Sequence, residues 1–158
     1  MLLLILQAAV AQLPLNLTCG GGGTANKAAV ATVNSYGSAH GSVGTTPFGT
    51  SGNSASTVTT TRQQSFADQV DIRLFAGDDR IRLPRTMLPP LHGGSDGWFK
   101  LKNVTADDRS IRASAGVNFM NNPKVYIDRL TGTITISGKA GDFTGQCQAV
   151  DPQAPKKF

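Results

Sequence analysis

The chain has 158 residues, which allows one domain of ordinary size and no more. Every acid is an aspartate, glycine is high at 18 residues and only 16% of the chain is charged; without the helix former Glu, this balance argues for an all-β fold with many turns. The formal charge of +5 gives no nucleic-acid footprint, because eleven Lys and Arg face ten Asp between Phe66 and Asp151 and the excess sits at Lys27, Arg62, Lys156 and Lys157.

The chain opens on "MLLLILQAAV", an apolar run shorter than the roughly 20 residues a membrane span needs. It matches the apolar core of a signal peptide, and Ala9-Val10-Ala11 supplies a small-x-small cleavage pattern, although no Lys or Arg precedes the run. Cys19 offers a second route to export. A cysteine after such a run, followed by Gly20 to Gly23, resembles the end of a bacterial lipoprotein signal, and Cys19 is a lipidation candidate. Leu17 and Thr18 depart from the residues that such a signal prefers. Acylation there would tether the protein to a membrane, at about 0.8 kcal/mol per buried methylene. Residues 1–19 are therefore predicted to be signal-like.

From Gly20 to Thr61 the chain is Gly, Ser, Thr, Ala and Asn with one charge, Lys27, and no sustained apolar period. Such a stretch buries too little surface to offset its ordering entropy, so residues 20–65 are expected to be a flexible, disordered linker.

Period-two patterning begins after Gln63. "QVDIRLF" sets Val70, Ile72 and Leu74 against Asp71 and Arg73, and "DRIRLP" sets Ile81 and Leu83 against Arg80 and Arg82. "GWFKLKNV" opposes Phe99 and Leu101 to Lys100 and Lys102, while "SIRASAGVNF" puts Ile111, Ala113, Ala115, Val117 and Phe119 in one register. "KVYIDRLTGTITIS" is a hairpin and "DFTGQCQAV" a last strand. The expectation is a small antiparallel sandwich or barrel of about six strands over residues 66–151, then a basic tail over 152–158. "AGDDRIRLP" and "TADDRSIRAS" repeat an Asp-Asp-Arg element, which fits turn chemistry used twice rather than a metal site.

Candidates for chemistry are few. His40 lies in the expected linker and His92 in "PPLHGGSDGW", and two isolated histidines make no metal cluster, so neither a metal nor a cofactor is expected. His92, Ser95 and Asp96 share one loop, whereas members of a catalytic triad normally converge from separate elements. Cys147 is a nucleophile without an evident base, a small residue on the last strand, or the disulfide partner of Cys19. His92, Asp96 and Trp98 form a candidate contact loop, in which Trp98 either stacks on a sugar or partner or starts a core strand. Arg80, Arg82, Lys100, Lys102 and Arg112 alternate with core positions. If their strands are neighbours they make a basic face for anionic lipid or acidic polysaccharide; otherwise they are an ordinary solvated surface.

Ile127-Asp128-Arg129, Thr131-Gly132 and the strand ending Gly145-Gln146-Cys147 resemble a pattern in small exported proteins of Gram-negative bacteria, an "IDR-x-TG" hairpin followed by a last strand with "G-x-C". "RIRLPRTMLP" and "GWFKL" resemble one uncharacterised subgroup of these from alphaproteobacteria. The resemblance covers roughly Gln69 to Asp151. It implies a β-rich envelope domain, periplasmic or associated with the outer membrane; in related patterns the late cysteine can pair with an earlier one, whereas here no second cysteine lies within the expected domain 66–151. It implies no activity. Asp128, Arg129, Thr131 and Gly132 are assigned to the structure of the hairpin, where Gly132 can take positive φ and Asp128 can accept turn N–H groups. The expected function is a non-enzymatic, exported binding or structural module whose partner is an envelope protein, anionic lipid or polysaccharide. An inhibitor-like binder of an envelope-directed enzyme such as a lysozyme is the alternative, on fold-level analogy, and an enzyme is the third.

Overall fold

The structure, a computed structural model, describes residues 14–151. The cleavage pattern at Ala9-Val10-Ala11 and the basic tail lie outside the described residues. The chain divides into two compact units, one combining the chain up to Asn26 with the chain from Gln63 onward, the other formed by Lys27–Arg62.

Eight strands follow in order: β1 (Leu15–Val43), β2 (Thr46–Leu74), β3 (Arg80–Arg82), β4 (Trp98–Ala106), β5 (Ser110–Ala115), β6 (Lys124–Asp128), β7 (Thr133–Gly138) and β8 (Gly141–Ala149), with one 3-10 turn at Arg85–Met87. Each strand pairs with its sequence neighbours and β8 returns antiparallel to β1, so the first unit is a closed up-and-down barrel. Closure leaves that sheet without an unpaired edge.

The alternation read from Val70 onward supplies the inside. Val70, Ile72, Leu74, Ile81, Phe99, Leu101, Ile111, Ala113, Val125, Ile127, Ile134, Ile136 and Phe143 are all buried in one cluster. The charged strand residues, among them Arg73, Arg80, Arg82, Lys100, Lys102, Arg112 and Lys124, are exposed on the outside, the reverse of a lipid-facing barrel. Phe119 departs from its expected register. The strand ends at Ala115, Val117 is still buried, and Phe119 lies in the following loop, 92% exposed.

The largest departure concerns residues 20–65. They are not a disordered linker but continue β1 and complete β2, which is why eight strands are found where about six were expected. Within the barrel the inward positions of β1 are Leu17, Cys19, Gly21, Gly23 and Ala25, opposite Ala149, Cys147, Gly145, Phe143 and Gly141 of β8. A Cβ on Gly21 would run into the Thr144 carbonyl oxygen, one on Gly23 into that of Asp142, and one on Gly22 would lie 2.7 Å from the Phe66 oxygen of β2. Only the backbone fits there. Phe66 and Phe143, on the strands flanking β1, stack with ring centroids 6.3 Å apart, so aromatic surface from both neighbours takes the place of the missing side chains. The glycine run is thus a packing element.

Cys19 is fully buried and bonded to Cys147, with Cα atoms 3.9 Å apart. The lipidation reading of Cys19 is corrected accordingly, since a sulfur in a disulfide cannot carry an acyl chain, and Cys147 is not a lone thiol. The earlier cysteine lies within the barrel because the barrel starts about fifty residues before the expected domain boundary.

Turns follow local chemistry. Asp128 Oδ1 accepts the Leu130 and Thr131 N–H groups at 2.8 and 3.1 Å, Gly132 takes φ 72°, and its N–H donates to the Asp128 carbonyl. Arg129 Nη1 donates to the Asp107 carbonyl at 2.7 Å, tying this hairpin to the β4–β5 turn. In that turn Asp107 Oδ1 accepts the Arg109 and Ser110 N–H groups at 2.8 and 2.7 Å. These bonds, Arg109 first, hold the Asp107 carboxyl below its ordinary pKa.

The second unit holds the outer parts of β1 and β2, joined at Gly44-Thr45 with Gly44 at φ 67°. Ser35 and Ser54 face each other across it with hydroxyl oxygens 2.6 Å apart. Every described residue from Val30 to Arg62 is exposed.

Candidate functional site

The outer face of β2, β3 and β4 collects the most chemistry. Antiparallel register places Arg73 opposite Arg80 and Arg80 opposite Lys100, and in the next row Asp71 opposite Arg82 and Arg82 opposite Trp98. Three cations therefore stand side by side on adjacent strands. Like charges directly opposite one another destabilise a sheet.

Local contacts offset part of this. Arg80 Nε donates to Asp78 Oδ1 at 2.8 Å, and Arg82 Nη1 lies 3.4 Å from Asp71 Oδ2. Asp71 is the anchor of the row, because its Oδ1 also accepts from Thr18 Oγ1 at 3.0 Å and Gln69 Nε2 at 2.8 Å. The Arg73 guanidinium lies 4.5 Å from the centroid of the Trp98 ring, a cation–π contact. Asn16, Thr18, Asp71, Arg73, Phe75 and Trp98 line much of a groove of about 550 Å³ on this face. It is mixed in character, with aromatic walls and two guanidinium groups.

The five cations expected to form a face are distributed as follows. Arg80 and Lys100 are direct partners, and Lys102 is two residues further along the same side of β4. Beyond Lys102 the β4–β5 register shifts at a bulge, where Asn103 takes φ 52°. Lys102 faces Ser114, which faces Lys124, extending the positive surface to β6. Arg82 is drawn toward Asp71. Arg112 stands apart past the bulge, its guanidinium 5.6 Å from the centroid of the Tyr126 ring. The ion pairs on this face are those of Arg80 and Arg82. Arg73 and Lys124 belong to the face and were missed. Arg73 was visible on the polar side of "QVDIRLF", but only the β2–β3 pairing puts it beside Arg80.

The contact loop divides. Trp98 starts β4, half-buried, and lines the groove. His92 and Asp96 share a separate hollow of about 410 Å³ with Arg85. His92 Nδ1 is 2.9 Å from the Gly93 carbonyl oxygen, and its ring stands edge-on to Phe99 at 5.8 Å. Asp96 is exposed at φ 52° in a tight turn whose Ser95 bridges to Trp98. Cys147 takes no part in this hollow. Its sulfur is bonded to Cys19, which removes it as a nucleophile. No group of three or more metal-ligating side chains occurs among the described residues. Comparison with known proteins finds no matching family, curated protein or solved structure.

Proposed function

We propose that this chain is a non-enzymatic binding module of the bacterial cell envelope, whose barrel takes phosphate or carboxylate groups of an anionic envelope component on the β2–β4 face. The observation that carries this reading is the Arg73–Arg80–Lys100 row. Stability alone does not favour three cations in register, and a multivalent anion relieves their repulsion while gaining a charge-assisted bond to each. Trp98 and Phe75 add apolar surface beside the charges. Export is supported by the apolar leader pattern and by the Cys19–Cys147 disulfide, which persists in oxidising compartments.

The test is a titration of the full chain, disulfide intact, with an acidic polysaccharide, with anionic vesicles and with their neutral counterparts, at low and high salt. Trp98 is the only tryptophan, so its emission reports on the groove. Binding to an anionic ligand that weakens with salt, and that falls when Arg73 and Lys100 are both replaced by Gln, supports the proposal; indifference to ligand charge and to salt sinks it.

A further inference from the structure

We infer that the unit Lys27–Arg62 is a self-association arm, whose occupant is the same arm of a second copy of this chain. An isolated two-stranded hairpin is marginal in water, and edge strands of monomeric proteins are normally blunted by charges, prolines or covering loops. Between Ala28 and Thr61 there is no Asp, Glu, Lys or Arg, and one proline, Pro47, beside the turn. Both edges are ready to pair and no side chain repels a partner.

The composition also selects the partner. Between its end residues Lys27 and Arg62 the unit is uncharged, so that stretch gains nothing from the polyanion proposed for the barrel and meets an identical stretch without repulsion. Lys27–Arg62 is larger than the roughly 20–30 residues that one side of a standard interface uses.

A knob and a notch on the ribbon give the contact a definite form. Tyr36 is 81% exposed. Beside it is a hollow of about 430 Å³, lined also by Gly37, Ser38, Ser51, Gly52 and Asn53. Gly37 and Gly52 carry no side chain, so they line this hollow with backbone alone. An aromatic ring laid over strand glycines is a known stabilising pair. In a two-fold pairing the Tyr36 ring of each copy covers Gly37 and Gly52 of the other, and both contacts form at once. Val33 and Val58, also exposed, lie on the opposite face of the ribbon, with Ser35 and Ser54, and take no part in this contact.

Sedimentation velocity of the full, disulfide-intact chain over a wide concentration range tests the inference, without any anionic ligand present. A monomer–dimer equilibrium is expected, with dimerisation weakened at least about tenfold by Tyr36→Ser and abolished by Ser38→Lys combined with Ser51→Lys, which put two charges into the hollow. Trp98 emission and far-ultraviolet dichroism check that the barrel is intact in each variant. A chain that stays monomeric at every concentration overturns the inference. So does a dimer that persists unchanged in both folded variants. Neither outcome bears on anion binding by the barrel.

Discussion

Cys19 and Cys147 lie directly opposite one another where β1 meets β8, so a single bond closes the barrel between positions 128 residues apart. Joining residues that distant removes much of the freedom of the unfolded chain. Loops of this length are credited with up to about 5 kcal/mol, and removing a native disulfide from a small exported domain typically costs 2–5 kcal/mol. Urea melts with and without reductant, and of the Cys19→Ser, Cys147→Ser double variant, should show a loss in that range. Alkylation of the unreduced, denatured protein should label neither cysteine. Labelling at Cys147 alone, with an acyl mass on Cys19, would overturn the closure.

The glycine run makes a contrast that a linker would not. Gly21→Val and Gly23→Val should destabilise the barrel by roughly 3 kcal/mol or more, or prevent folding, because each side chain meets a β8 carbonyl. Gly20→Ser should be near neutral, because nothing lies within 4 Å of its Cβ position. Thermal melts of the variants rank them, and equal melting points across all of them would return residues 20–23 to the status of a spacer.

On the cationic face, stability and binding should move in opposite directions. Lys100→Gln relieves a like-charge neighbour of Arg80 and should raise stability by roughly 0.2–1 kcal/mol, the scale of cross-strand pairs. The same change should weaken polyanion binding and flatten its salt dependence. Urea melts and the Trp98 titration read the two effects separately. A variant that loses both stability and binding points to a structural role for Lys100.

Asp107 gives the pH prediction. Its folded pKa is depressed, chiefly by the Arg109 N–H and then by that of Ser110. A depressed aspartate contributes stability that is present above its unfolded value, about 3.9, and is lost as pH falls from there through the folded value. Asp107→Asn should therefore lower stability at neutral pH and show a shallower fall below about pH 4. Urea midpoints measured from neutral to acid pH check this, and parallel curves for the two proteins would rule it out.

How much of this was readable in advance depended on whether a strand had an inside made of large side chains. The β6–β7 hairpin was legible because Val125, Ile127, Ile134 and Ile136 alternate with polar residues and Asp128 and Gly132 are turn chemistry. The inner part of β1 also alternates, but its inward residues include Gly21 and Gly23, and a position filled by a neighbour's Phe143 leaves no mark in its own strand. The outer parts of β1 and β2 have no inside at all, so no period could appear. The cationic residues were individually visible. Their assembly into a row was not, because it rests on the pairing of β2 with β3 and β4 rather than on spacing within any strand.

The chain enters and leaves the Lys27–Arg62 unit on β1 and β2, strands that are already neighbours in the barrel. Such an insertion behaves as a cassette. Its length can drift without reordering any barrel strand, because both of its ends lie on strands that are neighbours in the barrel whatever the chain between them does.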